Sequence, residues 1–192
     1  LTLSYESHKV YTVTIESQST VTHYLNGGKM SIEFVALNPL AESKFSTLDI
    51  INDGVIYDDE YYYDAGLLYD NEMKYEWNSI TTDTNMNVYN GSTSDEAKPN
   101  IIIDGSADDI TITQYKDENR TVVKDYITYG NFNGILEINS LLRNTYLDGN
   151  VANATMSGRY FKLDGDGYNY FTIEGTNMNI TSLKWDFKYI YI

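Results

Sequence analysis

Near the end of the chain, apolar and polar positions alternate without a break. Leu183, Trp185, Phe187, Tyr189 and Tyr191 fall on one side of an extended backbone, and Lys184, Asp186 and Lys188 fall on the other. Successive side chains of a strand point to opposite faces, so this is the pattern of a strand half buried in a sheet. Trp185 and Phe187 are therefore expected in the core. The same period of two recurs upstream. Tyr11, Val13 and Ile15 alternate with Thr12, Thr14 and Glu16, and Met30, Ile32, Phe34 and Ala36 with Ser31, Glu33 and Val35. Asn26-Gly27-Gly28 between these two runs predicts a turn. Asn38-Pro39 then breaks the pattern, and a polar stretch runs to about Thr47. A domain boundary is expected there, dividing the chain into 1–45 and 46–192.

From Ile101 onward the runs are short and closely spaced. Ile101, Ile102 and Ile103 lead into Asp104-Gly105-Ser106, and Ile110 and Ile112 alternate with Thr111 and Thr113. Val122, Val123 and Ile127 mark another strand, Leu136 and Ile138 the next, and Tyr146-Leu147 runs into the turn Asp148-Gly149. No segment carries a 3.6-residue period over the length of a helix. The expected class is all-β, an antiparallel sandwich closed or nearly so.

The stretch YFKLDGDGYNYFTIEG, 160–175, poses a choice between an ion site and a turn. A calcium loop of the EF-hand type needs oxygen ligands at its first, third and fifth positions, glycine at the sixth and glutamate at the twelfth. Counting from Asp164, the last three of these fall on Tyr168, Asn169 and Gly175, and none fits. The flanks alternate instead: Phe161 and Leu163 about Lys162, Phe171 and Ile173 about Thr172. The expectation is a hairpin turn with no metal.

Composition narrows the function. The chain has 192 residues, 28 acidic and 13 basic, for a net charge of -15. Such a surface repels phosphate backbones and anionic lipid, so neither nucleic acid nor membrane is expected as a partner. There is no cysteine, hence no disulfide and no thiol chemistry. The first residue is Leu1, and a fragment or processed product is expected. The histidines, His8 and His23, lack zinc-site spacing, and no nucleophile elbow or phosphate loop is present. No catalytic residue, metal ligand or cofactor site is assigned. With 28 acids, some pair lies close by chance, so a glycosidase pair carries almost no signal.

The 19 tyrosines suit pleated, half-buried surfaces, and they are interface residues as well. Between 57 and 76 they mix with Asp and Glu. One reading is acidic loops and edge strands whose charge deters pairing. The other is a protein or glycan contact, with Tyr61, Tyr62, Tyr63 and Trp77 as its platform.

The order of segments is itself informative. GSADDITIT (105–113), GNFNGILEINSLLRNTYLDG (130–149), the 160–175 stretch with Leu163, Gly167, Asn169 and Phe171, and LKWDFKYIYI (183–192) follow one another. This order resembles the C-terminal half of the distal tail proteins of long-tailed, non-contractile bacteriophages. YTVTIES (11–17) and MSIEFVALNP (30–39) look like the closing strands of that family's N-terminal ring domain. YDNEMKY (69–75) looks like a stretch after its domain junction, with Glu72 where the family has glycine. The resemblance implies a structural protein of a phage or prophage tail tip, not an enzyme. It implies a galectin-like sandwich at 46–192, preceded by the remnant of a ring, or belt, domain at 1–45. Its partners would be the tail tube and receptor-binding or other baseplate proteins. The full-length protein would be a hexamer, and this fragment a monomer or weak dimer. The His-Asn-Arg sugar ligands of true galectins are not visible, so no sugar activity comes with the fold name. The alternatives are a carbohydrate-binding module of an adhesin and a β-sandwich glycosidase.

Overall fold

The computed structural model describes residues 1–3, 6, 8–16, 20–36, 38–49, 73–95 and 97–192. The chain opens with short strands: β1 (Lys9–Val10), β2 (Val13–Ile15), β3 (Thr20–Tyr24), β4 (Gly27–Ser31), β5 (Phe34–Ala36) and β6 (Ala41–Ser43). After the described residues resume at Met73 come β7 (Glu76–Ile80), β8 (Thr84–Asn90), β9 (Asn100–Ala107), β10 (Asp109–Tyr115), β11 (Val123–Tyr129) and β12 (Phe132–Asn139). Then follow β13 (Asn144–Leu147), β14 (Asn150–Val151), β15 (Met156–Gly158), β16 (Gly167–Thr176), β17 (Asn179–Asp186) and β18 (Ile190–Tyr191).

Two antiparallel sheets form a sandwich, as the period of two requires. One has the order β15-β11-β10-β16-β8, the other β14-β13-β12-β9-β17-β7. Each strand turns one set of alternate residues inward. Ile110 and Ile112, Ile127 and Tyr129, Phe171 and Ile173, Met86 and Val88 come from the first sheet; Ile101 and Ile103, Leu136 and Ile138, Leu183 and Trp185 come from the second. At the centre the Phe171 ring lies 4.4 Å from the Trp185 ring, joining the two sheets, and Phe161 packs edge-on against Phe171 at 5.3 Å. Leu183, Trp185, Phe187, Tyr189 and Tyr191 are all buried. Their alternation is nonetheless spread over two strands, because β17 ends at Asp186 and β18 belongs to a third sheet, β1-β6-β18.

That third sheet is completed by hydroxyls. Between β17 and β18 the backbone is not a regular strand, and Thr47 and Ser43 bridge it. Thr47 Oγ1 donates to the Trp185 carbonyl at 2.7 Å and accepts from Phe187 N–H at 3.1 Å, while Ser43 Oγ accepts from Tyr189 N–H at 3.0 Å. Ser92 Oγ accepts from Ile190 N–H at 2.8 Å, and Thr93 Oγ1 from Ile192 N–H at 2.9 Å. Buried backbone groups that lack a ladder partner are thus paired by side chains.

Several local expectations change. The 164–169 segment reverses the chain but is not a hairpin. Leu163 bridges Ala97, whereas β16 pairs with β8 and β10. Asn169 holds the reversal, its Oδ1 accepting from Asp164 N–H at 2.8 Å and its Nδ2 donating to the Asp164 carbonyl at 2.9 Å. A side-chain amide therefore stands where a hairpin would place a backbone partner. In the N-terminal segment, β2 pairs with β5 and β3 with β4, so the run 30–36 is two strands and the turn falls at Leu25-Asn26. Gly105 lies inside β9. A Cβ there would collide with the Asn179 carbonyl oxygen, beside the register shift between Ile180 and Ser182, so the glycine admits a close strand at a bulge. The Asp148-Gly149 turn does join β13 to β14, with φ of 49° and 77°, the positive pair that a two-residue hairpin needs.

Trp185 fills the centre of the sandwich, so Trp185→Ala is expected to destabilise the protein by roughly 3–5 kcal/mol. Chemical denaturation followed by circular dichroism measures this, and a loss below about 1 kcal/mol would contradict the packing described.

Candidate functional site

Strands β7 and β8 are the outermost strands of their sheets and follow one another in the chain, so they lie on the same side of the sandwich. Inward-facing Met86 and Val88 of β8 leave Asn85 and Asn87 on the outer face. On neighbouring β16, inward Asn169 and Phe171 leave Tyr168 and Tyr170 outward, with Tyr170 directly opposite Asn87. The β10–β11 loop folds over this face and brings Glu118 and Arg120. Across the seam between the sheets stand Lys74 and Trp77. These eight residues line an open cleft of about 550 Å3, within the range of small-ligand sites.

Two cations sit on aromatic rings at its walls. Lys74 Nζ is 5.2 Å from the centre of the Trp77 ring, and the Arg120 guanidinium is 5.8 Å from that of Tyr170. Both distances are in the cation–π range. Arg120 adopts a left-handed φ of 55° and spends its donors on oxygens. Nε reaches the Phe171 carbonyl at 3.3 Å, Nη1 the Glu118 carbonyl at 3.0 Å, and Nη2 the Met86 carbonyl at 3.4 Å and Asn87 Oδ1 at 2.5 Å. Among the described residues, neither Arg120 nor Lys74 has a carboxylate within ion-pair distance, whereas Lys9, Lys124, Arg159, Lys184 and Lys188 each have one.

The loop that carries Arg120 is held by Asp117. Its carboxylate accepts from the backbone N–H of Thr121 at 3.1 Å and of Val122 at 2.8 Å, and from the Thr121 hydroxyl at 2.9 Å. These bonds favour the charged form, the backbone bond from Thr121 most, and hold the Asp117 pKa below its ordinary value. Deeper in the sandwich, burial pushes the Tyr75 hydroxyl well above the usual tyrosine range, against a smaller opposing effect of its 2.6 Å hydrogen bond with the Tyr189 hydroxyl.

Of the residues singled out from sequence, Trp77 does line this cleft, but only 7% of its surface is exposed and Lys74 covers its ring. It is a core residue with one edge in the cleft, not a free platform. Tyr61, Tyr62 and Tyr63 lie outside the described residues. The cleft residues Tyr168 and Tyr170 were visible as the polar-side partners of Asn169 and Phe171 once the inward face of β16 was assigned. Nothing in the local sequence of Arg120 marks it. His8 is buried edge-on against Tyr191, their rings 5.6 Å apart. Among the described residues no group of three or more His, Cys, Asp or Glu is placed to hold a metal ion, and no helix is long and apolar enough to cross a membrane. A broader, more open depression of about 590 Å3 collects Asp83, Asp109 and Glu174, but Asp109 is engaged in capping the Thr176 N–H at 2.8 Å.

No family model and no curated protein matches the chain. Among solved structures, the chain is similar to the Dit protein (gp 19.1) of SPP1, described as a paradigm of the hub adsorption apparatus in phages that infect Gram-positive hosts. The two are 14% identical and superpose with a TM-score of 0.60, over 98% of this chain and 63% of that one. At that identity the likeness is one of fold, and this chain spans under two thirds of the length of that protein.

The Asp117 carboxylate gives the cleft a pH limit. Because its folded pKa is depressed, its contribution is present above the unfolded value and is lost as pH falls through the folded one. The Thr121 and Val122 amide resonances are expected to shift in an acid titration with a midpoint below 3.8, the ordinary value for aspartate. Nuclear magnetic resonance on labelled protein tests this, and a midpoint at or above 3.8 would contradict it.

Proposed function

We propose that this protein is a structural component of a phage or prophage tail tip, a distal-tail hub between the tail tube and the host-adsorption proteins. One observation carries the reading: the likeness of fold extends over 98% of the chain, N-terminal ribbons as well as sandwich. The order of motifs along 105–192 points the same way from sequence alone. The physical demands of such a hub also fit. It needs a rigid β scaffold and docking surfaces, and it needs no catalytic groups. In this reading the protein is not an enzyme. Residues 46–192 form the outward-facing, galectin-like domain, and 1–45 belong to the ring-forming domain, whose six copies close head to tail in the full-length protein.

The ribbons support the last point. Ile15 of β2 and Phe34 of β5 are 62% and 47% exposed, and Tyr24, Leu25 and Met30 of the β3–β4 hairpin are exposed as well. Paired two by two, these strands carry apolar side chains that nothing among the described residues covers, and two-stranded ribbons are not stable alone. In a ring they would pack against a neighbouring copy.

Gold-labelled antibody raised against this chain should decorate the distal end of the tail in electron micrographs of the virions that carry it. Label on capsids, along tail shafts, or absent from virions would overturn the assignment. In solution the chain of 192 residues should be a monomer at low micromolar concentration and associate weakly as concentration rises. Phe34→Asp should abolish that association in sedimentation velocity experiments.

A further inference from the structure

We propose that the cleft between Lys74 and Arg120 binds an anionic saccharide, a sugar carrying a carboxylate or phosphate. This stands on the cleft's own chemistry and does not rest on the tail assignment.

Charge comes first. The chain carries -15 overall, yet this cleft presents two cations with no carboxylate partner among the described residues. A cation with no carboxylate against it in a recessed site can take an anion brought from outside, Lys74 through its ammonium and Arg120 through its charge and the one Nη1 N–H that its four hydrogen bonds leave, and the surrounding negative surface raises selectivity by rejecting anions that make no other contact. Arg120 is already fixed by four oxygens and by the left-handed backbone at its own position, so binding costs it little side-chain entropy. Lys74 is exposed, and its flexible four-carbon stem lets the ammonium turn from the Trp77 ring to the ligand.

The second argument is the lining. Tyr168 and Tyr170 are half exposed and two residues apart on the same face, spaced to meet the apolar face of a pyranose. Asn85 and Asn87, likewise two residues apart, supply amide donors and acceptors to ring hydroxyls, and Glu118 adds an acceptor at the rim. Rings, paired amides and a fixed guanidinium together suit a polyhydroxylated ring with one negative substituent. A nucleic-acid strand is disfavoured, because two cations cannot offset the repulsion of a chain at -15. An acidic peptide would use the cations but has no need of the tyrosine faces. The expectation from sequence that sugar activity is missing rested on galectin-type ligands. This cleft is built from other residues, on the outer face of β8 and β16.

Isothermal titration with three probes tests the proposal: an oligosaccharide carrying a single terminal galacturonate for carboxylate, an oligomannoside carrying a single phosphate for phosphate, and neutral maltohexaose. At least one acidic probe should bind saturably, more weakly as sodium chloride rises from 50 to 500 mM, and maltohexaose should bind at least tenfold more weakly. Lys74→Glu and Tyr170→Ala should each weaken acidic-probe binding about tenfold or more, Lys74→Arg should retain it, and all three should keep the parent's unfolding midpoint. Which acidic probe binds identifies the anionic group. The proposal is overturned if no acidic probe binds at millimolar concentration, or if maltohexaose binds as tightly as the acidic probes. It also fails if polyglutamate binds as well as the sugars and Tyr170→Ala leaves binding unchanged, the outcome for an acidic-protein surface. Variants that unfold are replaced by Asn85→Ala and Glu118→Ala, read the same way.

Discussion

The contact between Phe171 and Trp185 is the constraint on which the rest of the architecture depends. It is the point at which two sheets, each assembled from strands distant in sequence, meet face to face. An indole and a phenyl ring bury far more apolar area than the aliphatic side chains around them, and burial of that area is the main favourable term in folding. Because both residues lie on inner strands, their inward orientation sets the alternation of β16 and β17, and the partners of those strands follow in register. The outward set is settled by the same choice. Tyr168 and Tyr170 face solvent because Asn169 and Phe171 do not.

That dependence explains what could be read from the residues alone. The all-β class and the burial of the 183–191 alternation followed from a period of two with a strong apolar set, and both hold. The turn at Asp148-Gly149 held because its requirement for positive φ is local. Misreadings arose where a short-range signal had a long-range answer. The role of Gly105 went unread for that reason: it clears a passage for β17, a strand more than 70 positions away. The 164–169 segment has flanks that alternate like a hairpin, yet each flank finds its partner elsewhere. The reversal is secured by one asparagine side chain.

The cleft illustrates a different limit of legibility. Its members come from four separate parts of the chain, and no two of them form a motif. Trp77 was singled out for its aromatic ring, and the ring proved to be mostly inside the protein. What gives the place its character is a placement: Lys74 and Arg120 each lie against an aromatic ring of the cleft, and among the described residues neither has a carboxylate within ion-pair distance. Pairing of that kind depends on three-dimensional neighbours and leaves no trace in composition.

The hydroxyl clamp on residues 185–192 has a consequence for how the molecule is made. Thr47 and Ser43 hold backbone groups 138 to 146 positions further along, and β6 gains its second neighbour only when β18 arrives. On a ribosome, then, the segment around 41–47 must wait, its strand half paired, until residues 185–191 have emerged. Contacts of such sequence separation make folding slow relative to local closure. Early segments with unsatisfied edges are exposed to pairing with the wrong chain during that interval. The net charge of -15 opposes such pairing between copies, since like-charged chains repel.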